Sequence, residues 1–207
     1  MQLPDAKPKE PEPQPDAGTL LVGYGTLLYR GSLGQSIGAT LAESKPVVPV
    51  VVRDYKRLFN LRPEHYQSSH KLSAAGIELG AMNVEPSAGS SFNAVAMTVG
   101  AEELEILDRR ERYYRRLTVP VHDFTTGEVL GSGHFYAAEP GSRWLERDVS
   151  LLLPRWQDIV WARTGSYAIS HDFGRYYDAT TYMADGETLM IDFYRRNLPD
   201  AGDLTLP

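Results

Sequence analysis

From residue 20 onward, apolar residues come in short runs of strand length, separated by polar clusters rich in glycine and proline. Residues 20–23 (LLVG) read as a strand that stops at Gly23. Residues 47–53 (VVPVVVR) and 55–61 read as a pair of strands with a break near Asp54. Residues 76–84 and 94–99 read as two more, separated by the turn-forming stretch 85–91 (EPSAGSS). A helical pattern takes over at 101–112, acidic at its start and arginine-rich at its end, as the helix dipole favours. Strand patterns return at 117–122 and 129–136, around a turn at 123–127. Residues 144–153 and 154–162 read as helices, the second with a proline in its first turn. From residue 165 the chain is aromatic and mixed and yields no assignment. Many strands, few helices and no strict alternation predict an α+β fold with a curved or barrel-like sheet.

Composition narrows this picture. The chain has 207 residues, enough for one domain with a core, and its 42% hydrophobic and 23% charged content is ordinary for a globular protein. Residues 1–17 (MQLPDAKPKEPEPQPDA) carry too few large apolar groups to fold and are expected to form a disordered, proline-rich arm. The net charge of −6 argues against nucleic acid or an anionic membrane as the main partner. The absence of cysteine excludes disulfides, thiol catalysis and cysteine-held metals. No apolar run approaches the roughly 20 residues of a membrane span, and residues 1–17 have no apolar signal-peptide core. These features predict a cytoplasmic location.

Chemistry concentrates at two places. Within the predicted helix, Leu104 and Leu107 share a face. At about 100° per residue, Glu111 falls roughly 20° from Leu104, so a glutamate points the way of the core leucines. A carboxyl group held inward loses hydration and its pKa rises, which prepares it for proton transfer near neutral pH. A helix that stops near Glu111 would instead leave the side chain on a solvated rim, or Arg115 or Arg116 would pair with it. Asp108 lies near the same face and reads as structural. The second place is Gly23-Tyr24-Gly25-Thr26, directly after the first strand. Its backbone N–H groups can converge on an anion, or the glycines can simply make a turn. The spacing fits neither a dinucleotide-binding loop, since Leu28 stands where a third glycine belongs, nor a Walker loop.

Taken together and in order, the two motifs resemble those of the γ-glutamylcyclotransferase-like superfamily, which includes γ-glutamylamine cyclotransferases and avirulence-induced-type proteins. That family has Tyr-Gly-Ser/Thr-Leu/Asn after its first strand; here it is Tyr24-Gly25-Thr26-Leu27. It also has a helix ending Leu-Asp-x-x-Glu, then Tyr-x-Arg and a Val-x-Val strand. The counterparts are Leu107-Asp108-Arg109-Arg110-Glu111, then Tyr114-Arg115-Arg116 and Val119-Pro120-Val121. Asp54-Tyr55-Lys56-Arg57-Leu58-Phe59 and Gly133-His134-Phe135-Tyr136 are weaker matches. The resemblance spans about residues 20 to 140. It implies a small mixed β-barrel with packed helices over residues 18–164, followed by an extension at 165–207 that packs on or lids it. Two departures stand out. Arg112 replaces the glycine common after the glutamate, and Thr26 replaces the commoner serine, as in the γ-glutamylamine branch.

The resemblance also implies a reaction. A γ-glutamyl amide cyclises to 5-oxoproline and releases an amine or amino acid, without cofactor or metal. Glu111 would be the catalytic base; Tyr24, Gly25, Thr26 and Leu27 would bind the small-molecule γ-glutamyl substrate, with Tyr136 as a further contact. The alternative is a catalytically silent small-molecule-binding or interaction protein on the same fold; the inward Glu111 speaks against it and Arg112 for it. Oligomeric state and the amine half of the substrate are left open by the sequence. The remaining signals read as structural. His122 and His134, on adjacent predicted strands, suit a surface or core pair better than a metal site. His65 and His70 fall in a polar loop, the run Arg109, Arg110, Arg112, Arg115 and Arg116 suits a helix C-terminus, and the aromatic C-terminal residues suit packing over the barrel.

Overall fold

Strands β2 (Val48–Leu61) and β3 (Glu78–Val99) form one long antiparallel ladder, running from Val48 opposite Ala96 to Leu61 opposite Ala81. A computed structural model describes residues 18–66 and 70–197; the proline-rich residues 1–17 lie outside them. β1 (Thr19–Gly23) pairs antiparallel with the far end of β3. β4 (Arg115–Asp123) and β5 (Val129–Ala137) form a hairpin. β4 pairs with β2 at Val50 and Val51, and β5 closes the ring by lying parallel to β1 at Leu21 and His134. The result is a closed five-strand mixed barrel, so the α+β barrel expected from the sequence is the observed fold.

Alternation explains the barrel's filling. Val50 and Val52 are fully buried, and their neighbours Val51 and Arg53 are not. With Leu21, Phe92, Phe135 and Val121 they pack into one core. Asp54 does not end a strand. It adopts φ 63°, and the register steps from Arg53 opposite Ser91 to Tyr55 opposite Pro86. The residues read as a turn at 85–91 are therefore the bulged middle of β3, and the Asp54 Oδ1 accepts the Gly89 N–H at 2.9 Å. A bulge of this kind bends and twists both strands, as closing a small barrel requires.

Helices cover the barrel. α1 (Arg30–Ile37), α2 (Ala39–Ser44) and α3 (His70–Ala74) are short. α4 spans Ala101–Arg110, two residues shorter than its sequence pattern. Residues 144–153, expected to be helical, are instead loop leading into β6 (Leu152–Pro154), which lies parallel to the start of β3. The pairing from Glu78–Leu152 to Gly80–Pro154 outweighs their helix-like composition, and Pro154 ends a strand rather than opening a helix. α5 (Trp156–Ile169) then runs unbroken across residue 165. α6 (His171–Ala179), β7 (Thr181–Tyr182) and α7 (Met190–Asn197) follow, with β7 parallel to β2 at Arg57 and Leu58. Phe173, Tyr177, Met190 and Tyr194 belong to the same core as the barrel strands. No helix among the described residues is long and apolar enough to cross a membrane.

Candidate active site

At the end of β1 the chain leaves the sheet at Gly23 and makes a single 3-10 turn, Thr26–Leu28. Glycine is required at 23 because a Cβ there would sit 2.8 Å from the Cβ of Leu27. The turn closes through Leu28 N–H to Gly25 O and Tyr29 N–H to Thr26 O, both 3.0 Å. The N–H groups of Thr26 and Leu27, first in the turn, have no acceptor within it. Residues Val22 to Leu27 line a cavity of about 130 Å³.

The loop is held from three sides. The ring of Tyr24 goes into the barrel, edge-on to Phe92 and Phe135, and its hydroxyl donates to the Tyr136 carbonyl at 2.6 Å. Burial pushes that hydroxyl's pKa well up, with the Glu111 charge adding to the rise, so it stays a donor. The Tyr24 carbonyl accepts from Arg57 at 3.2 Å. From outside, α5 presses on the turn at Gly165, where a Cβ would lie 2.2 Å from the Leu28 carbonyl oxygen.

Arg57 is wholly buried, and none of its hydrogen-bond partners among the described residues is a carboxylate. Its guanidinium donates to Asn93 O and Oδ1, Thr181 Oγ1, Thr180 Oγ1 and Tyr177 O, and stacks 4.0 Å from the centre of the Tyr177 ring. Burial lowers its pKa to about 10, which leaves it charged at neutral pH. It ties the glycine loop to β3, α6 and β7 at once. The sequence carried a signal for it. After the bulge at Asp54 the core-facing parity of β2 changes, from Val50 and Val52 to Phe59, and Arg57 shares that new parity.

Glu111 faces the same cavity. α4 does stop one residue before it, and Glu111 is the C-cap, its N–H bonded to Leu107 O at 2.9 Å. The side chain nevertheless turns inward and is only 16% exposed. Loss of hydration raises its pKa; Arg110 pulls it down, and Asp158 pushes it further up. Its partner is neither Arg115 nor Arg116 but Arg110, whose Nε lies 3.2 Å from Oε1. The rest of the Arg110 fork donates to Ser36 Oγ at 2.8 Å, Thr26 Oγ1 at 2.9 Å, Ser32 Oγ at 3.1 Å and Ser32 O. One guanidinium thus links the carboxyl group to the glycine loop. Asp108 points elsewhere. It accepts from the Tyr136 hydroxyl at 2.7 Å and pairs with Arg116. Tyr136 lines the cavity with that hydroxyl already engaged.

Asp158, near the start of α5, also lines the cavity and is 2% exposed. Its Oδ2 accepts from the Tyr66 hydroxyl at 2.9 Å and its Oδ1 from Arg155. An acid in the first turn of a helix reads in sequence as dipole compensation, which hides its place in the cavity. Tyr66, His65, Tyr113, Tyr114 and Pro63 complete much of the wall. The His65 ring stacks on Tyr113 at 5.5 Å, and burial and the nearby arginines 112 and 155 lower its pKa. The side chain of His70 lies outside the described residues. His122 and His134 do not meet, since the ladder sets them opposite Val129 and Thr118. No group of three or more histidine or acidic side chains among the described residues could hold a metal ion.

No family model matches the chain, and no curated protein matches it. Solved structures do. An uncharacterized human protein is similar at TM-score 0.58 and 16% identity, over 80% of this chain and 89% of that one. A γ-glutamyl cyclotransferase is similar at TM-score 0.57 and 14% identity, over 79% and 88%. A yeast γ-glutamyl cyclotransferase specific to glutathione is similar at TM-score 0.56 and 10% identity, over 80% and 96%. The fold is that of the γ-glutamylcyclotransferase-like proteins.

Proposed function

We propose that the protein is a γ-glutamylcyclotransferase-type enzyme, which closes a γ-glutamyl amide to 5-oxoproline and releases the amine. The observation that carries this reading is a single one: an inward-turned Glu111 with a raised pKa shares one small cavity with Thr26 and Leu27, whose N–H groups have no acceptor within their turn.

The steps follow from that pairing. Glu111, ionised, takes a proton from the substrate α-ammonium and frees its lone pair. The amine attacks the γ-carbonyl carbon of the same molecule, the C–N bond of the five-membered ring forms, and the carbonyl oxygen becomes an oxyanion. Glu111 passes that proton to the leaving nitrogen and takes the second proton from the ring nitrogen. The oxyanion re-forms the carbonyl as the bond to the leaving nitrogen breaks, and the released amine carries the second proton away as its ammonium. Backbone N–H groups along Gly25, Thr26 and Leu27 hold the substrate carboxylate and the oxyanion without a further charged side chain. The cavity keeps the glutamyl chain curled, and orientation is where a ring closure gains most. Tyr24 serves through its backbone, since its ring is in the core; Tyr136 supplies wall.

The test is 5-oxoproline release from a panel of γ-glutamyl amides by wild type and by Glu111→Gln. Release that survives the substitution in the folded variant overturns the role given to Glu111.

A further inference from the structure

We infer that Asp158 and the aromatic wall around it select the leaving half of the substrate, favouring an amine that carries no carboxylate. This rests on the cyclotransferase reading and concerns the end of the cavity that the glutamyl group does not use.

The charge inventory of the cavity points this way. Its described lining holds two carboxyl groups, Glu111 and Asp158, and one guanidinium, Arg110. The donors of Arg110 are committed to Ser32, Ser36, Thr26 and Glu111. Arg155 is bound to Asp158 and lies over the Tyr66 ring at 4.3 Å, outside the lining. Arg112 sits 5.1 Å from the centre of the Tyr113 ring, also outside it. A carboxylate on the leaving half would face the acceptor oxygens of Asp158, whose charge Arg155 already balances, and would meet no uncommitted cation in the described lining; leaving a charged group unpaired is one way that sites reject a competitor. The substrate's one obligatory carboxylate, on the glutamyl half, is served by the loop N–H groups.

The wall offers a positive match as well. His65, Tyr66 and Tyr113 present rings, with His65 stacked on Tyr113 and edge-on to Tyr66 at 4.8 Å. Rings accept an apolar or aromatic tail by burial and edge contact. The Oδ2 of Asp158 has one donor, the Tyr66 hydroxyl, and a carboxylate oxygen can take a second. A tail with an N–H donor can therefore be held there, and a carboxylate cannot.

The test compares two substrates that differ only by that group, γ-glutamyl-phenethylamine and γ-glutamyl-phenylalanine, with glutathione as a third. Wild type is expected to show kcat/KM at least about tenfold higher for the phenethylamine amide, the effect of desolvating one carboxylate that finds no partner. Asp158→Asn is expected to narrow that gap, mainly through a lower KM for the phenylalanine amide. Equal or better turnover of the phenylalanine amide or glutathione by wild type overturns the inference, and that ratio decides even where the variant does not fold. A folded Asp158→Asn with an unchanged ratio overturns the role of Asp158. No 5-oxoproline from any of the three overturns the cyclotransferase reading itself.

Discussion

Arg110 and Glu111 are neighbours in the chain and partners in the cavity: the Nε of one lies 3.2 Å from the Oε1 of the other. The same guanidinium reaches Thr26, 84 positions earlier. Burial works to keep Glu111 protonated and Arg110 works against it. The acidic limb of kcat/KM is therefore expected above the ordinary glutamate range. Replacing Arg110 with methionine removes the lowering charge, so the limb should move to higher pH. A pH–rate profile checks this, and a limb that stays put or moves down would show that the pair does not set the base.

Glu111→Gln should lower kcat by roughly 10²–10⁴-fold, the usual worth of a general base. It should also raise Tm at pH 7. A carboxyl group whose folded pKa is raised supports folding fully below its unfolded pKa and loses that support as pH climbs through the folded value. The neutral glutamine does not lose it. The gain in Tm over wild type should shrink toward pH 4, which thermal melts across pH would show.

Arg57→Met removes the donors that serve the Tyr24 carbonyl and the carbonyl and Oδ1 of Asn93 inside the core, whereas the Tyr177 carbonyl keeps the Thr181 hydroxyl. Each orphaned buried acceptor costs about 1–3 kcal/mol, and the sum should reach about 3–5 kcal/mol in a denaturant titration. Lysine should rescue little of it, because an ammonium cannot span acceptors laid out for a planar fork.

Gly165→Ala should destabilise by about 1–3 kcal/mol, since the new methyl group meets the Leu28 carbonyl and one of two packed elements must move. KM should rise more than kcat falls, because the displaced turn is the part assigned to binding. Steady-state kinetics on the folded variant separates the two constants.

These residues differ in how readable they were. Local pattern pointed at the Tyr24–Leu27 loop and at Glu111 but left a plain turn and a solvated rim open beside them, and only the resemblance of the two motifs taken together joined them in one site; the helix ends two residues sooner than its pattern suggests. The turn-like residues 85–91 misled because a bulge and a turn draw on the same amino acids; only the pairing with β2 tells them apart. Residues 152–154 are strand because β3 offers them a partner 74 positions earlier, which no window of sequence contains. Asp158 was hidden for the same kind of reason: its meaning comes from Tyr66 and Glu111, both far from it in the chain.

The parallel seam between β1 and β5 joins at Leu21 and His134, whereas β2 and β3 share a ladder of many pairs. Long-range parallel contacts carry the largest loop-closure entropy and form late. β1 is also the stave from which the Tyr24–Leu27 loop hangs. Competence to bind should thus appear together with the last closure event during refolding, not ahead of it. A ligand gripping that loop would act as a clasp on the seam, slowing its opening in hydrogen exchange far more than it slows exchange within the β2–β3 ladder.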